Sequence, residues 1–273
     1  MKIRSHILVS LIFFGLSSCQ KGYDFEKSPT GLQYHFFTNN AGGKVGKIGD
    51  FYSMNVTAMG DTILFSTFLD LERVEPLYKG DVHEGLAMLH KGDSVVFLLP
   101  ADSFFSNAGK PVPENLKGGT VMLHIGVLDI RNPFEQTIFK SEEEIKIMEN
   151  FVKNEGWQNV VLDTTGIYYQ KIGENPNAEP ILIGDSVDIN YTYSLLNRRV
   201  LWQTKDNDPW RFEVGGNQTR ISGLSRVLVL MNDGDHVRAL LPFTEAFGIQ
   251  GLSDFIPPCS TIVLDIKAKK VKK

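Results

Sequence analysis

Four segments from the first half of the chain return, in the same order, in the second half. TGLQYHFF (30–37) matches TGIYYQKI (165–172) and IGDFYSMNV (48–56) matches IGDSVDINY (183–191), both displaced by 135 residues (30 to 165, 48 to 183). GLAMLHKGDSVVFLLP (85–100) answers VLVLMNDGDHVRALLP (227–242) at a displacement of 142 (85 to 227), and TVMLHIGVLDI (120–130) answers TIVLDIKAKKV (261–271) at 141 (120 to 261). Kept order with altered loop lengths describes one domain duplicated, since solenoid repeats recur at about 20–50 residues. The 273 residues then hold two globular domains of ordinary size, roughly 100–200 residues each.

Local patterning makes each unit an α+β domain, a sheet with one short helix. In DSVDINYTYSLL, Val187, Ile189, Tyr191, Tyr193 and Leu195 fall on one face and Asp188, Asn190, Thr192 and Ser194 on the other, as in a half-buried antiparallel strand. Tyr52, Met54, Val56 and Ala58 repeat the pattern in the first unit. Leu86 and Leu89 have helical spacing before Gly92, and a further strand, VVFLLP or VRALLP, follows. The division is a first domain at 28–131, a helical connector at 132–160 and a second domain at 161–273. Within the connector, Ser141 and Glu144 fit a capping box, Ile145, Met148 and Val152 share a face, and Gly156 is placed to end the helix. That helix is expected to dock on a domain.

Lys2 and Arg4 precede the apolar run ILVSLIFFGL (7–16), which ends in LSSC (16–19). This is the layout of a secretory signal, too short to span a bilayer as a stable helix. LSSC resembles the lipobox of bacterial lipoproteins, which implies removal of residues 1–18 and lipidation of Cys19. The expected location is the bacterial cell envelope, lipid-anchored, on the periplasmic or cell-surface side. Cys259 is the only other cysteine, so with Cys19 lipidated no intramolecular disulfide forms. A formal net charge of −4 leaves no broad basic face for nucleic acid, and the terminal KAKKVKK reads as a solvated strand end.

Across 165–271, the Gly-Asp before an alternating strand ending NYT, then PWRFEVG, ISGLSRVLVLMNDGD, LLPFTEAFG and FIPPCSTIVLDI, resemble in order the FKBP-type peptidyl-prolyl cis-trans isomerases. Through the repeat, the resemblance extends more weakly to 30–131. It implies two tandem FKBP-like domains, each an antiparallel sheet curled around a short helix with an apolar cavity between them. It also implies that the activity needs no cofactor or metal, and that the partners are proline-containing segments of exported proteins. The matching motifs assign catalytic positions to Tyr191, Phe247 and Ile221, the last through its backbone N–H. They assign the substrate pocket to Leu201, Trp202, Trp210, Phe212, Leu224, Phe255, Ile256 and Leu264. Phe255 and Ile256 form one wall, stiffened by the fixed φ of Pro257 and Pro258.

Departures from the family pattern bear on catalysis. RRVLWQT places Leu201 and Trp202 where the family has Phe-Asp, so the usual carboxylate is missing; Phe247 stands where the family has a phenol; and Leu224 replaces an indole, with Trp202 and Trp210 available to refill its volume. The first unit has drifted further. Val56 holds the place of Tyr191, KPVPENLKGG (110–119) replaces the Ile-Pro-Pro lip, and Lys79 with Asp81 stands where ISG begins. It reads as a scaffold or protein-binding module, and Phe65, Phe68, Phe104 and Phe105 are candidates to line a cavity, with core packing the simpler account.

Other chemistries find no foothold. The six histidines lack metal-ligand spacing, GKVGKIGD precedes a strand where a phosphate loop would precede a helix, and no Gly-x-Ser-x-Gly elbow occurs. Two functions remain: a prolyl isomerase or folding factor for exported proteins, active through the second domain, or a non-catalytic FKBP-like lipoprotein that binds a client or an envelope complex.

Overall fold

The computed structural model describes residues 23–205, 207–253 and 255–271. Cys19 and the signal segment lie outside the described residues. The chain divides into two compact units between Asn132 and Pro133.

In the first unit, β1 (Glu26–Lys27), β2 (Gln33–Thr38), β3 (Phe51–Met59), β4 (Ile63–Glu72), β5 (Ser94–Pro100) and β6 (Thr120–Arg131) form one antiparallel sheet in the order β1-β2-β5-β6-β3-β4. In the second, β7 (Val161–Leu162), β8 (Tyr168–Gly173), β9 (Ser186–Leu195), β10 (Val200–Gln203), β11 (Trp210–Glu213), β12 (His236–Leu241) and β13 (Ile262–Lys270) run β10-β9-β13-β12-β8-β7, with β11 also paired to β9. Matching each strand to its repeat makes the two orders the same. The sequence duplication is therefore a duplication of topology.

Each sheet covers a short helix, α1 (Val82–Leu86) in the first unit and α4 (Ser222–Leu228) in the second. On α4, Gly223, Leu224, Val227 and Leu228 are buried, the stripe expected of a helix lying on a sheet. They pack with Val187 and Ile189 of β9, Val237 and Ala239 of β12 and Leu264 and Ile266 of β13 in one core. A Cβ at Gly223 would lie 3.0 Å from the Glu245 carbonyl and from a Leu241 methyl, so a glycine there permits the close approach. In the first unit Asp81 caps α1, accepting from the His83 and Leu77 N–H groups at 3.0 and 2.8 Å. A further helix, α2 (Ala101–Asn107), follows β5, where the second unit has a single 3₁₀ turn, Phe243–Glu245. One helix per unit is thus an undercount for the first.

The long helix α3 (Pro133–Asn154) belongs to the second unit. It starts eight residues before the expected cap: proline is well suited to the first helical position, where its missing N–H has no partner to lose. Ser141 therefore lies inside the helix, and Glu144 is buried rather than capping. Gly156 does end it. With φ +66 it lets Trp157 N–H reach the Val152 carbonyl at 3.1 Å while Gly156 N–H reaches Lys153 at 3.2 Å, a Schellman closure with Trp157 packed edge-on against Phe151. Met148, Val152, Phe151 and Trp157 cover Tyr168, Leu240 and Val263, whose strand neighbours in sequence point into the α4 core. Helices α3 and α4 therefore occupy opposite faces of the second sheet. Ile145, expected on the docked face, is exposed. No described helix is long and apolar enough to cross a membrane.

Candidate functional site

The strand opposite β9 distinguishes the two units. In the first, β4 pairs with β3 along its whole length, from Phe51↔Glu72 to Met59↔Ile63. In the second, the equivalent strand breaks into β10 and β11, with an irregularity between Val200 and Trp202. Thr204 closes the break, its N–H donating to the Tyr191 carbonyl at 3.0 Å and its hydroxyl accepting from Tyr191 N–H at 2.9 Å. Register then places Trp202 opposite Tyr193 and Trp210 opposite Ile189, on the inward face of the sheet.

These side chains wall a cavity of about 300 Å³. Tyr191, Tyr193, Trp202 and Trp210 line it from the sheet, Gln218 to Ile221 from the approach to α4, and Phe247 and Leu252 from the loops beyond β12. Ring centroids stand 4.9 Å apart for Tyr191 and Tyr193, 5.8 Å for Tyr191 and Trp210, and 5.6 Å for the stacked pair Trp202 and Phe247. Burial raises the pKa of both tyrosines, so each keeps its proton at neutral pH. The Ile221 N–H already donates to the Thr219 hydroxyl at 3.1 Å.

The proline-bearing lip is an anchored loop. Leu252 and Ile256 exchange backbone hydrogen bonds of 2.9 and 3.1 Å. Ile256 is 0% exposed and sits in the core, while Phe255 is 42% exposed and meets the Trp202 ring edge-on at 5.2 Å. The Arg199 guanidinium lies 5.5 Å over the Phe255 ring and donates to its carbonyl. Phe255, Trp202 and Phe247 thus make one continuous aromatic edge. The turn into the lip needs Gly251: φ is +67, and a Cβ would sit 2.3 Å from the Ile256 carbonyl oxygen and 2.6 Å from that of Pro257. Gly251→Ala is expected to displace the lip, weakening binding of a proline peptide by about tenfold or more, as small misplacements in such sites do. Titrating tryptophan fluorescence with peptide, beside a thermal melt, checks this.

Both loops carrying the site hang from one carboxylate. Glu144 of α3 accepts the Phe243 N–H at 2.9 Å, at the start of the turn leading to Phe247, and the Thr261 hydroxyl at 2.5 Å, where the lip enters β13. Burial pushes its pKa up to about 7, against the pull of those two hydrogen bonds.

Of the residues expected from sequence, Tyr191, Trp202, Trp210, Ile221 and Phe247 share the cavity and Phe255 stands at its edge. Leu201, Phe212, Leu224, Ile256 and Leu264 lie in the core behind it. Tyr193, Leu252 and Glu144 were not singled out for the site; of these, only Tyr193 had a signal, its place on the apolar face of β9. In the first unit Val56 and Ala58 occupy the places of Tyr191 and Tyr193, leaving no large rings there. Phe65 and Phe68, expected in the core, are exposed, with Phe65 stacked at 6.4 Å on Phe104.

An antiparallel sheet wrapped on one short helix, with an aromatic cavity at the helix N-terminus and an Ile-Pro-Pro lip beside it, is the architecture of a prolyl-isomerase-type domain. The family model for FKBP-type peptidyl-prolyl cis-trans isomerase matches residues 178–269. FK506-binding protein 1 of Saccharomyces cerevisiae is 33% identical over 89 residues, 32% of this chain and 77% of that protein. Peptidyl-prolyl cis-trans isomerase FKBP11 of Bos taurus is 33% identical over 92 residues, 34% of this chain and 45% of that protein, so the chain spans about half of that relative's length. The crystal structure of FkpA from Escherichia coli aligns over 49% of this chain and 61% of its own, at 26% identity and a TM-score of 0.42. The chain belongs to the FKBP-type peptidyl-prolyl cis-trans isomerase family, and its two units are FKBP-like domains.

Proposed function

We propose that the second unit captures Xaa-Pro segments of exported proteins in its aromatic cavity and speeds their cis-trans isomerisation, with the chain held at the cell envelope through a lipidated Cys19. The observation that supports this best is the cavity itself, a space of about 300 Å³ walled by the rings of Tyr191, Tyr193, Trp202, Trp210 and Phe247 with Ile221 and Leu252, and bordered by Gln218, Thr219 and Arg220. Isomerisation of an Xaa-Pro bond is slow because twisting it breaks amide resonance, and the barrier for a peptide bond is roughly 18–20 kcal/mol. The twisted amide is less polar than the planar one. The aromatic wall therefore favours it over the planar ground state, and binding that is stronger in the transition state is catalysis. Proton transfer, a nucleophile and a metal are not needed.

Phe247 and Trp202 supply surface but neither a phenol nor a carboxylate, which favours a second reading in which the cavity holds proline segments without accelerating them, as part of a client-binding or envelope-complex lipoprotein. One experiment separates the two. The chain from residue 19 onward is assayed for binding and isomerisation of a Phe-Pro tetrapeptide, beside Phe247→Ala. Binding with acceleration, both reduced in the variant, supports the enzyme; binding without acceleration supports the second reading; neither, in a folded protein, removes both. In cells, Cys19→Ala is expected to release the protein from membranes or leave a precursor, and a mature, membrane-bound variant would contradict the anchor.

A further inference from the structure

The aromatic cavity adjoins a second one of about 350 Å³, whose walls include Ser222, Ser225 and Arg226 and which shares Thr219, Arg220 and Ile221 with the first. Around this junction the polar side chains are spent inside the protein. Gln218 accepts the Glu213 N–H at 2.9 Å, the Thr219 hydroxyl accepts the Ile221 N–H at 3.1 Å and the Ser225 hydroxyl accepts the Gly215 N–H at 3.0 Å. Ser222 and Arg226 both donate to one carboxylate oxygen of Glu245, each at 2.7 Å. These bonds order the loop that leads into α4 and leave its groups nothing to offer a ligand. Arg220 is the exception. It is exposed, it borders both cavities, and its guanidinium has no hydrogen-bond or ion-pair partner among the described residues. No carboxylate lines either cavity among those residues.

We propose that Arg220 makes this site select Xaa-Pro segments that carry an acidic residue close to the proline. The inference rests on the reading that the aromatic cavity takes the proline, and it names the class of segment taken. A segment whose proline sits among the rings and whose chain continues along the second cavity passes Arg220 at the junction. A guanidinium presents a planar fork of donors that matches a carboxylate, and it keeps its charge at every physiological pH. Pairing at a wetted border changes affinity only a few-fold, because water and salt screen it. It therefore sorts among proline segments, whereas the rings supply the binding common to all of them. A basic residue at the same place meets like charge and is disfavoured.

Two matched sets of Phe-Pro peptides test this on the chain from residue 19 onward, with Glu, Gln or Lys placed two residues before the proline in one set and two residues after it in the other. Affinities are read by tryptophan fluorescence. In at least one set the Glu peptide is expected to bind about three- to fivefold more tightly than the Gln peptide, with the Lys peptide weakest, and the spread should narrow as salt is raised. The ratio of Glu to Gln affinity is expected to fall to about one in Arg220→Gln, and Arg220→Glu should prefer the Lys peptide. Thermal melts of both variants confirm that the domain is folded. Equal affinity for the Glu and Gln peptides in both sets, or a preference that persists in Arg220→Gln, overturns the role of Arg220 and leaves the proline-binding reading intact. A folded wild type that binds none of the peptides, those with Gln included, removes both.

Discussion

Ile256→Ala is expected to lower the unfolding free energy by about 2–5 kcal/mol, the usual range for truncating a fully buried aliphatic residue, and to remove peptide binding under conditions where the protein is still folded. Two links carry the second effect. Ile256 is the buried foot of the lip, with 0% exposure and membership of the α4 core. Phe255, the residue before it, reaches outward to close the aromatic edge against Trp202. When the foot shortens, the core can recover the volume only by drawing the lip inward or leaving a void. Either response moves Phe255 away from its ring contact. Phe255→Ala separates the effects, because that exposed ring contributes little to stability but forms the wall, so it should bind poorly while unfolding near the wild-type midpoint. Urea unfolding followed by peptide titration of both variants checks the pair. Full binding by Ile256→Ala would show that the lip is not part of the site.

The stability of the second unit is expected to fall as pH rises from about 4.5 to 7, by roughly 3 kcal/mol from Glu144 alone. The sign follows from its raised pKa. In the unfolded chain Glu144 loses its proton near the ordinary glutamate value, whereas in the folded unit it holds the proton up to about 7. Between those values the folded state binds more protons than the unfolded state, so each rise in pH favours unfolding. The contribution is fully present below the unfolded value and is lost as pH passes 7. Glu144→Gln keeps a carbonyl oxygen for the Phe243 N–H and the Thr261 hydroxyl, and has no proton to lose. Its unfolding midpoint should therefore stay flat over this range after subtraction of the shared background, and lie above the wild type at pH 8. Parallel pH profiles for the two proteins would contradict the assignment.

The sequence carried the fold further than it carried the site. Equal displacements of 135 residues at 30–37 and 48–56 reappear as β2 with β8 and β3 with β9, because strand alternation and the Gly-Asp turns before them are local signals. The start of α3 was misplaced for a local reason as well: Ser141 and Glu144 make a plausible cap, but Pro133 begins a helix just as well, and the residues between them do not interrupt it. Alternation on β9, β11 and β13, and the apolar stripe on α4, show which side of the sheet or helix a residue faces. They do not show whether core or cavity lies above that point, which is why Phe212, Leu224 and Leu264 could not be told from Trp210 or Tyr191. Glu144 was beyond reach altogether. It is one of three consecutive acidic residues, and its partners are 99 and 117 positions away. Tyr193 was placed on the buried face correctly, but its place in the cavity wall is visible only once every neighbour has a position.

The three tryptophans of the chain offer the most direct test of where proline segments bind. Trp202 and Trp210 line the cavity, whereas Trp157 lies on the opposite face of the same sheet, beneath α3. In a ¹H–¹⁵N spectrum of the labelled chain, their indole N–H resonances report on two sites within one domain. Titration with a Phe-Pro tetrapeptide is predicted to shift the Trp202 and Trp210 signals together, along one saturating curve, and to leave Trp157 in place. Saturable binding of the peptide with both cavity signals unmoved would contradict the site.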